Sequence, residues 1–183
     1  MNARAPLGRI LLTGFMCAGK TTVARALAAR LDCAMLDLDA AIVEREGRSI
    51  AQIIDADGEA RFRQIESNAL RDALESNDAR VIALGGGAWT IDENRALVAA
   101  HNCVTVWLDA PFELCWQRIT ASQETRPLAR DCGKAQELFE GRRVFYSQAT
   151  FHVTVSGDDS AADIAQAIIS ALEQLPPQTQ KND

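Results

Sequence analysis

Gly14-Phe15-Met16-Cys17-Ala18-Gly19-Lys20-Thr21 stands between the apolar run Arg9-Ile10-Leu11-Leu12-Thr13 and a segment of helical period that opens at Thr21. The octet fits G-x-x-x-x-G-K-[ST] and lies where that motif must lie, after a strand and at the start of a helix. Gly14 and Gly19 let the backbone wrap so that successive N–H groups point inward, and the helix start brings its positive dipole end to the same place. Gly14, Cys17, Ala18, Gly19, Lys20, Thr21 and Thr22 are therefore the expected cradle of a nucleoside triphosphate. Lys20 would reach the outer phosphates, and the Thr21 hydroxyl would be a ligand for Mg2+. The chain has three lysines against sixteen arginines, so background composition does not readily supply a lysine at this position. Cys17 reads as a small residue filling the turn, with a low-pKa thiol at a helix N-terminus as the alternative.

Outward from this motif, β-prone apolar runs recur at Ala34–Asp37, Arg80–Leu84, Cys103–Leu108 and His152–Ser156. Between them lie helical periods at Thr21–Leu31, Gly58–Ser76, Asp92–Ala100, Pro111–Ala121 and Lys134–Gln148, and Ser160–Leu175 closes the series. Strands alternating with helices connect in parallel by crossovers, and near-continuous apolar strands suit a sheet covered on both faces. The expectation is an α/β/α sandwich with five parallel strands, one domain over 1–183 with its core at about 8–175. A polar stretch at about 121–133 reads as a lid, and the residues after Pro176-Pro177 read as a frayed tail.

Composition narrows the function. The 183 residues carry 19 basic and 25 acidic side chains, a net charge of -6, which argues against nucleic acid or an anionic membrane as partner. No run of about 18 apolar residues occurs, and a cleaved-leader reading of Ile10–Gly19 would sacrifice the best motif in the chain. Five cysteines (Cys17, Cys33, Cys103, Cys115, Cys132) form neither a C-x-x-C pair nor a metal-finger spacing, which points to reduced thiols in the cytoplasm. Two histidines in unrelated contexts give poor support to a His-ligated metal or a Ser/His/Asp triad. With no Asn-Lys-x-Asp guanine motif and no Leu-Ser-Gly-Gly-Gln signature, small phosphotransferases remain, and these must recognise a second substrate.

Four features offer that recognition. Asp37-Leu38-Asp39 closes the second strand, where period-2 geometry would set both carboxylates on one side at the ligand-binding edge. One could serve Mg2+ and the other the attacking hydroxyl, while helix capping is the alternative reading. In Gly58-Glu59-Ala60-Arg61-Phe62-Arg63-Gln64-Ile65-Glu66, Arg63 and Glu66 are neighbours on one helical face, so the acid can fix the guanidinium for a substrate carboxylate. Gly85-Gly86-Gly87 follows the third strand directly and lets backbone groups approach a ligand without an intervening Cβ. No acid ends that strand, which leaves Asp37 as the metal partner. Lastly, five arginines (Arg118, Arg126, Arg130, Arg142, Arg143) and Lys134 face only four acids between 118 and 143, a local cationic excess suited to anions.

The loop, the Asp-x-Asp, G-E-x-x-F-R-x-x-E, Gly-Gly-Gly, Arg126-Pro127-Leu128 and Arg142-x-x-x-Tyr146 together resemble the shikimate kinase family, in order and spacing, over residues 8 to 172. The resemblance implies a nucleoside-monophosphate-kinase-like fold with sheet order 2-3-1-4-5, and transfer of the ATP γ-phosphoryl group to the shikimate 3-hydroxyl. It implies that Asp39, Arg63, Gly85, Gly86, Gly87 and Arg142 bind shikimate, with Asp39 also acting on the hydroxyl. Lys20 and Arg126 would stabilise the transferring phosphoryl, Thr21 and Asp37 would serve Mg2+, and Arg118 would lie along the adenine. ATP and shikimate are the partners so implied, and modest helical surfaces suit a monomer. The chain departs from the family at Ala129 after Leu128, at Trp89, which is either core or a crowding element of the acceptor pocket, and at Val155–Asp159, which lacks an arginine or proline beside the base. The competing readings are a kinase of another small hydroxylated acid such as gluconate, and a non-catalytic nucleotide-binding relative.

Overall fold

The structure is a computed structural model that describes residues 8–122 and 131–175. Strands β1 (Ile10–Thr13), β2 (Met35–Asp37), β3 (Val81–Ala83), β4 (Val104–Asp109) and β5 (Phe151–Thr154) form one sheet in the order β2-β3-β1-β4-β5. Every pairing is parallel. The interior strands explain the apolar runs: every residue of β1 and β3 is buried, and so are the first five of β4, because helices cover both faces. The edge strand β5 alternates instead between half-buried and exposed positions.

The helices are α1 (Lys20–Arg30), α2 (Leu38–Glu46), α3 (Ile50–Asp57), α4 (Glu59–Ser76), α5 (Asp92–Ala100), α6 (Phe112–Ala121), α7 (Cys132–Tyr146) and α8 (Ala161–Glu173), with a short 3-10 turn at Ala88–Thr90. α1 packs on α8, and α4 packs on α2 and α3. α3 was not expected from periodicity. Its start is written in the capping box of Ser49 and Gln52, whose side chain and backbone groups satisfy each other.

Register decides what meets at the upper edge. Leu12 of β1 and Asp37 of β2 both lie beside Ala83 of β3. The loops leaving these three strands therefore emerge side by side: the phosphate-loop motif after β1, the Asp37–Asp39 segment after β2, and the three glycines after β3. This is the C-terminal edge of the sheet, where ligands of open α/β folds bind.

The expected strand geometry of the acidic pair is corrected here. β2 ends at Asp37, and Asp39 lies in the first turn of α2. Asp37 is the N-cap, its Oδ1 accepting from the Ala40 N–H at 3.0 Å. The two carboxylates share one neighbourhood because the chain switches from strand to helix between them, not because of period-2 alternation. The capping alternative is thus realised, and it leaves the second oxygen of Asp37 for other work.

Candidate active site

A cleft of about 450 Å³ runs along this edge, lined at one end by Asp37, Asp39 and Gly86, in the middle by Met16 to Val23, and at the far end by Val155, Asp159, Ala161 and Ile164. The middle is an anion site by construction. Gly19 is the N-cap of α1 and no side chain caps that helix, so its first N–H groups remain available for phosphate oxygens. Lys20 Nζ donates to the carbonyls of Gly14 at 2.9 Å and Phe15 at 2.8 Å, which curls its ammonium over the loop. Thr21 Oγ1 lies 2.5 Å from Asp37 Oδ2. A hydroxyl and a carboxylate oxygen held this close are hard donors that fit Mg2+, an ion that keeps several waters and takes substrate phosphates as its other ligands.

Arg118, on α6, donates to the Cys17 carbonyl at 3.1 Å and so lies against the phosphate loop. Cys17 itself takes a left-handed φ of 59° and is half-buried. The far end of the cleft is apolar through Val155, Ala161 and Ile164, with Asp159 at its rim accepting from the Ser156 N–H at 2.7 Å.

The acceptor end is more deeply built. Arg63 pairs with Glu66 at 2.7 Å and with Glu59 at 2.9 Å. Glu66 is 1% exposed, so this is no solvated surface pair. Burial works against the charge on Arg63, but Glu66 and then Glu59 outweigh it and the guanidinium's pKa is raised. Burial also pushes the Glu66 carboxyl above its ordinary 4.5, against the pull of Arg63 and with reinforcement from Asp39. Glu66 Oε1 has no hydrogen-bond partner among the described residues. Arg142, on α7, is buried as well.

These side chains explain the three glycines. A Cβ on Gly85 would overlap Glu66 Oε1 and stand 2.6 Å from Asp39 Oδ1, and a Cβ on Gly87 would fall onto the Arg63 guanidinium. The space a side chain would fill is taken by the groups expected to bind the acceptor, so the turn must be bare backbone. At Gly86 the atoms nearest a Cβ would be Met16 N at 3.3 Å and Arg142 Nη1 at 3.5 Å, which brings Arg142 and the phosphate loop together at one residue.

Both Asp39 and Arg63 therefore converge on the glycine turn, as do Glu66 and Arg142. Arg126 and Arg130 lie outside the described residues. Arg143 is not in the cleft: it makes a two-point pair with Asp109 at 2.7 and 3.2 Å, with its guanidinium over Trp107 and Phe139. Trp89 proves to be core, 4% exposed, with its indole N–H on the Phe145 carbonyl.

The family model described as shikimate kinase matches residues 16–173 of the chain. The chain belongs to the shikimate kinase family. A shikimate kinase from Nostoc punctiforme is 41% identical over 173 residues, covering 92% of this chain and 93% of the relative. One from Aquifex aeolicus is 37% identical, with 90% and 96% covered. The solved structure of Acinetobacter baumannii shikimate kinase in complex with shikimate superposes with a TM-score of 0.85 at 35% identity, over 92% of this chain and 94% of that one. The sheet order and parallel strands are those the family resemblance implied, and the kinase fold is that of the phosphate-loop kinases.

Tyr146 and Glu66 are the residues that sequence reasoning underused. Both stood inside quoted motifs, but their spacing could not show that one reaches the glycine turn and the other lies under it.

Proposed function

We propose that the chain transfers the γ-phosphoryl group of ATP to the 3-hydroxyl of shikimate, with the triphosphate on residues Gly14 to Thr22 and the acceptor between Asp39, Arg63, the three glycines and Arg142. The observation that carries this reading is the continuity of the cleft, which joins the phosphate loop to Asp39 and Gly86 without a break. Arg63 and Arg142 form a cationic wall for the acceptor's carboxylate, and Glu66 holds Arg63 so that its planar fork is presented rather than wandering.

In the step itself the acceptor oxygen bonds to the γ-phosphorus, the bond from that phosphorus to the β–γ bridging oxygen breaks, and the hydroxyl proton passes to Asp39. Lys20 and Arg126 offset the charge on the transferring group, since this chemistry asks for positioning and charge compensation more than covalent help. Mg2+, held by Thr21 and Asp37 through oxygen, would neutralise the phosphate oxygens. Arg118 would lie along the base. We place the enzyme in the cytoplasm, a reading supported by its cysteine spacing, and as a monomer, which its modest helical surfaces suit. Among the described residues no helix is long and apolar enough to cross a membrane.

A coupled ADP-release assay across shikimate, quinate, gluconate and AMP tests the assignment. Shikimate is expected to give the highest kcat/KM, and preference for gluconate or AMP would overturn it.

A further inference from the structure

Three successive glycines carry no side chain that could hold their peptide planes, and each has more backbone freedom to lose than any other residue. Yet every carbonyl from Gly85 to Trp89 is taken. Gly85 O accepts from the Ala88 N–H at 3.2 Å, and Gly87 O from the Thr90 N–H at 3.0 Å and Thr90 Oγ1 at 2.7 Å. Ala88 O accepts from the buried Asn94 amide at 2.9 Å, and Trp89 O from Arg95 at 2.7 Å. Gly86 O accepts from the Tyr146 hydroxyl.

Among these, four carbonyls are held by the turn itself or by α5, the helix that follows it. Only Gly86 is held from a distant helix, α7. By contrast, none of the N–H groups of Gly85, Gly86 and Gly87 donates to a backbone carbonyl among the described residues. In a planar trans peptide the C=O and N–H point in opposite directions, so fixing Gly86 C=O fixes the Gly87 N–H the other way. Gly87 is the residue whose missing Cβ makes room for the Arg63 guanidinium.

We propose that Tyr146 is a positioning residue for the acceptor: its hydroxyl pins the Gly86 carbonyl so that the Gly87 N–H is aimed at the acceptor beside Arg63. Tyr146 is 1% exposed, so water does not compete for the bond. It stands one helical turn after Arg142, and both face the same glycine. One O–H thus ties the backbone donor and the guanidinium wall into a single unit. The inference rests on the acceptor reading above.

Tyr146→Phe removes the donor and keeps the ring that packs 6.1 Å from Trp107. In the full chain, shikimate KM should rise about three- to tenfold, the loss expected for one buried neutral hydrogen bond. KM for ATP, and kcat at saturating shikimate, should stay within about twofold of wild type by the same reasoning. Trp89→Phe, which loses the bond to Phe145 without touching the turn's peptides, serves as the control and should lower Tm while leaving both KM values in place. An unchanged shikimate KM in Tyr146→Phe, or an equal rise for both substrates, overturns the proposal. Should Tyr146→Phe not fold, the wild type still decides: titration with shikimate should shift the 15N–1H resonance of Gly87, and a stationary Gly87 amide would overturn it. A wild type that turns over ATP with another acceptor and not with shikimate would instead overturn the acceptor reading itself.

Discussion

The two ends of the cleft are built by different means. At the acceptor end, Glu66 and Arg142 are buried, Arg63 is tied to two acids, and the glycine turn has its carbonyls spoken for. The phosphate-loop end offers instead uncapped backbone N–H groups, one lysine folded over its own loop, and a rim of Val155, Asp159, Ala161 and Ile164. A phosphate tail is bound well by any helix start with an open first turn. A small organic acid has a shape and one carboxylate, and its site must be held rigidly to distinguish it from similar acids. On the proposed reading, specificity would reside in side-chain networks on α4 and α7, and phosphate affinity in the local fold after β1.

Asp39 stands at the acceptor end against the glycine turn, and its substitution should produce the largest effect. Asp39→Asn is expected to lower kcat by about 10²-fold or more, the usual worth of a positioned general base. Calorimetric ATP affinity should survive, and normal turnover would show that the proton goes elsewhere. Arg63→Lys comes next. It keeps the charge but loses the fork, and should cost about 2–4 kcal/mol in kcat/KM, expressed in the acceptor and not in ATP. A change under about twofold would remove Arg63 from the acceptor wall. On the opposite side, Arg118→Ala should raise KM for ATP about tenfold or more through loss of its charged hydrogen bond to the loop, with acceptor KM steady. A rise in acceptor KM instead would dissolve the division between the two ends.

Much of this was legible locally. Strand, glycine loop and helix from Arg9 to Leu31 follow one another within a short span, so their order could be read from the sequence. Asp37 and Asp39 were legible as residue types but not in geometry. The strand stops at Asp37, and whether the chain continues extended or turns into α2 depends on an N-cap bond to Ala40 that strand alternation does not encode. The Arg63–Glu66 pair was visible as an i,i+3 spacing, while its burial was not, because that depends on the glycine turn packing against α4. Tyr146 is the extreme case. Its partner Gly86 is 60 residues away, and nothing in either segment alone announces the bond.

The smallest expected effect concerns stability and pH. Burial raises the folded-state pKa of Glu66 above the ordinary 4.5. The folded protein therefore holds this proton more tightly than the unfolded chain. The stabilisation from that difference is complete below the ordinary value and is lost as pH rises through the folded one. In urea unfolding, the stability of wild type relative to Glu66→Gln should accordingly decline as pH rises from 4 towards neutrality by a modest slope, about one proton per molecule at most. A constant or rising difference would mean that Arg63 dominates over burial.

The central claim is that an organic carboxylate is gripped by Arg63 and Arg142 beside the phosphate loop. Titration calorimetry of wild type with shikimate and with its methyl ester, which keeps the ring and hydroxyls but not the charge, tests this most directly. The account predicts that the ester binds at least about tenfold more weakly, since it forfeits charge-assisted bidentate bonds. Equal affinity for acid and ester would contradict it.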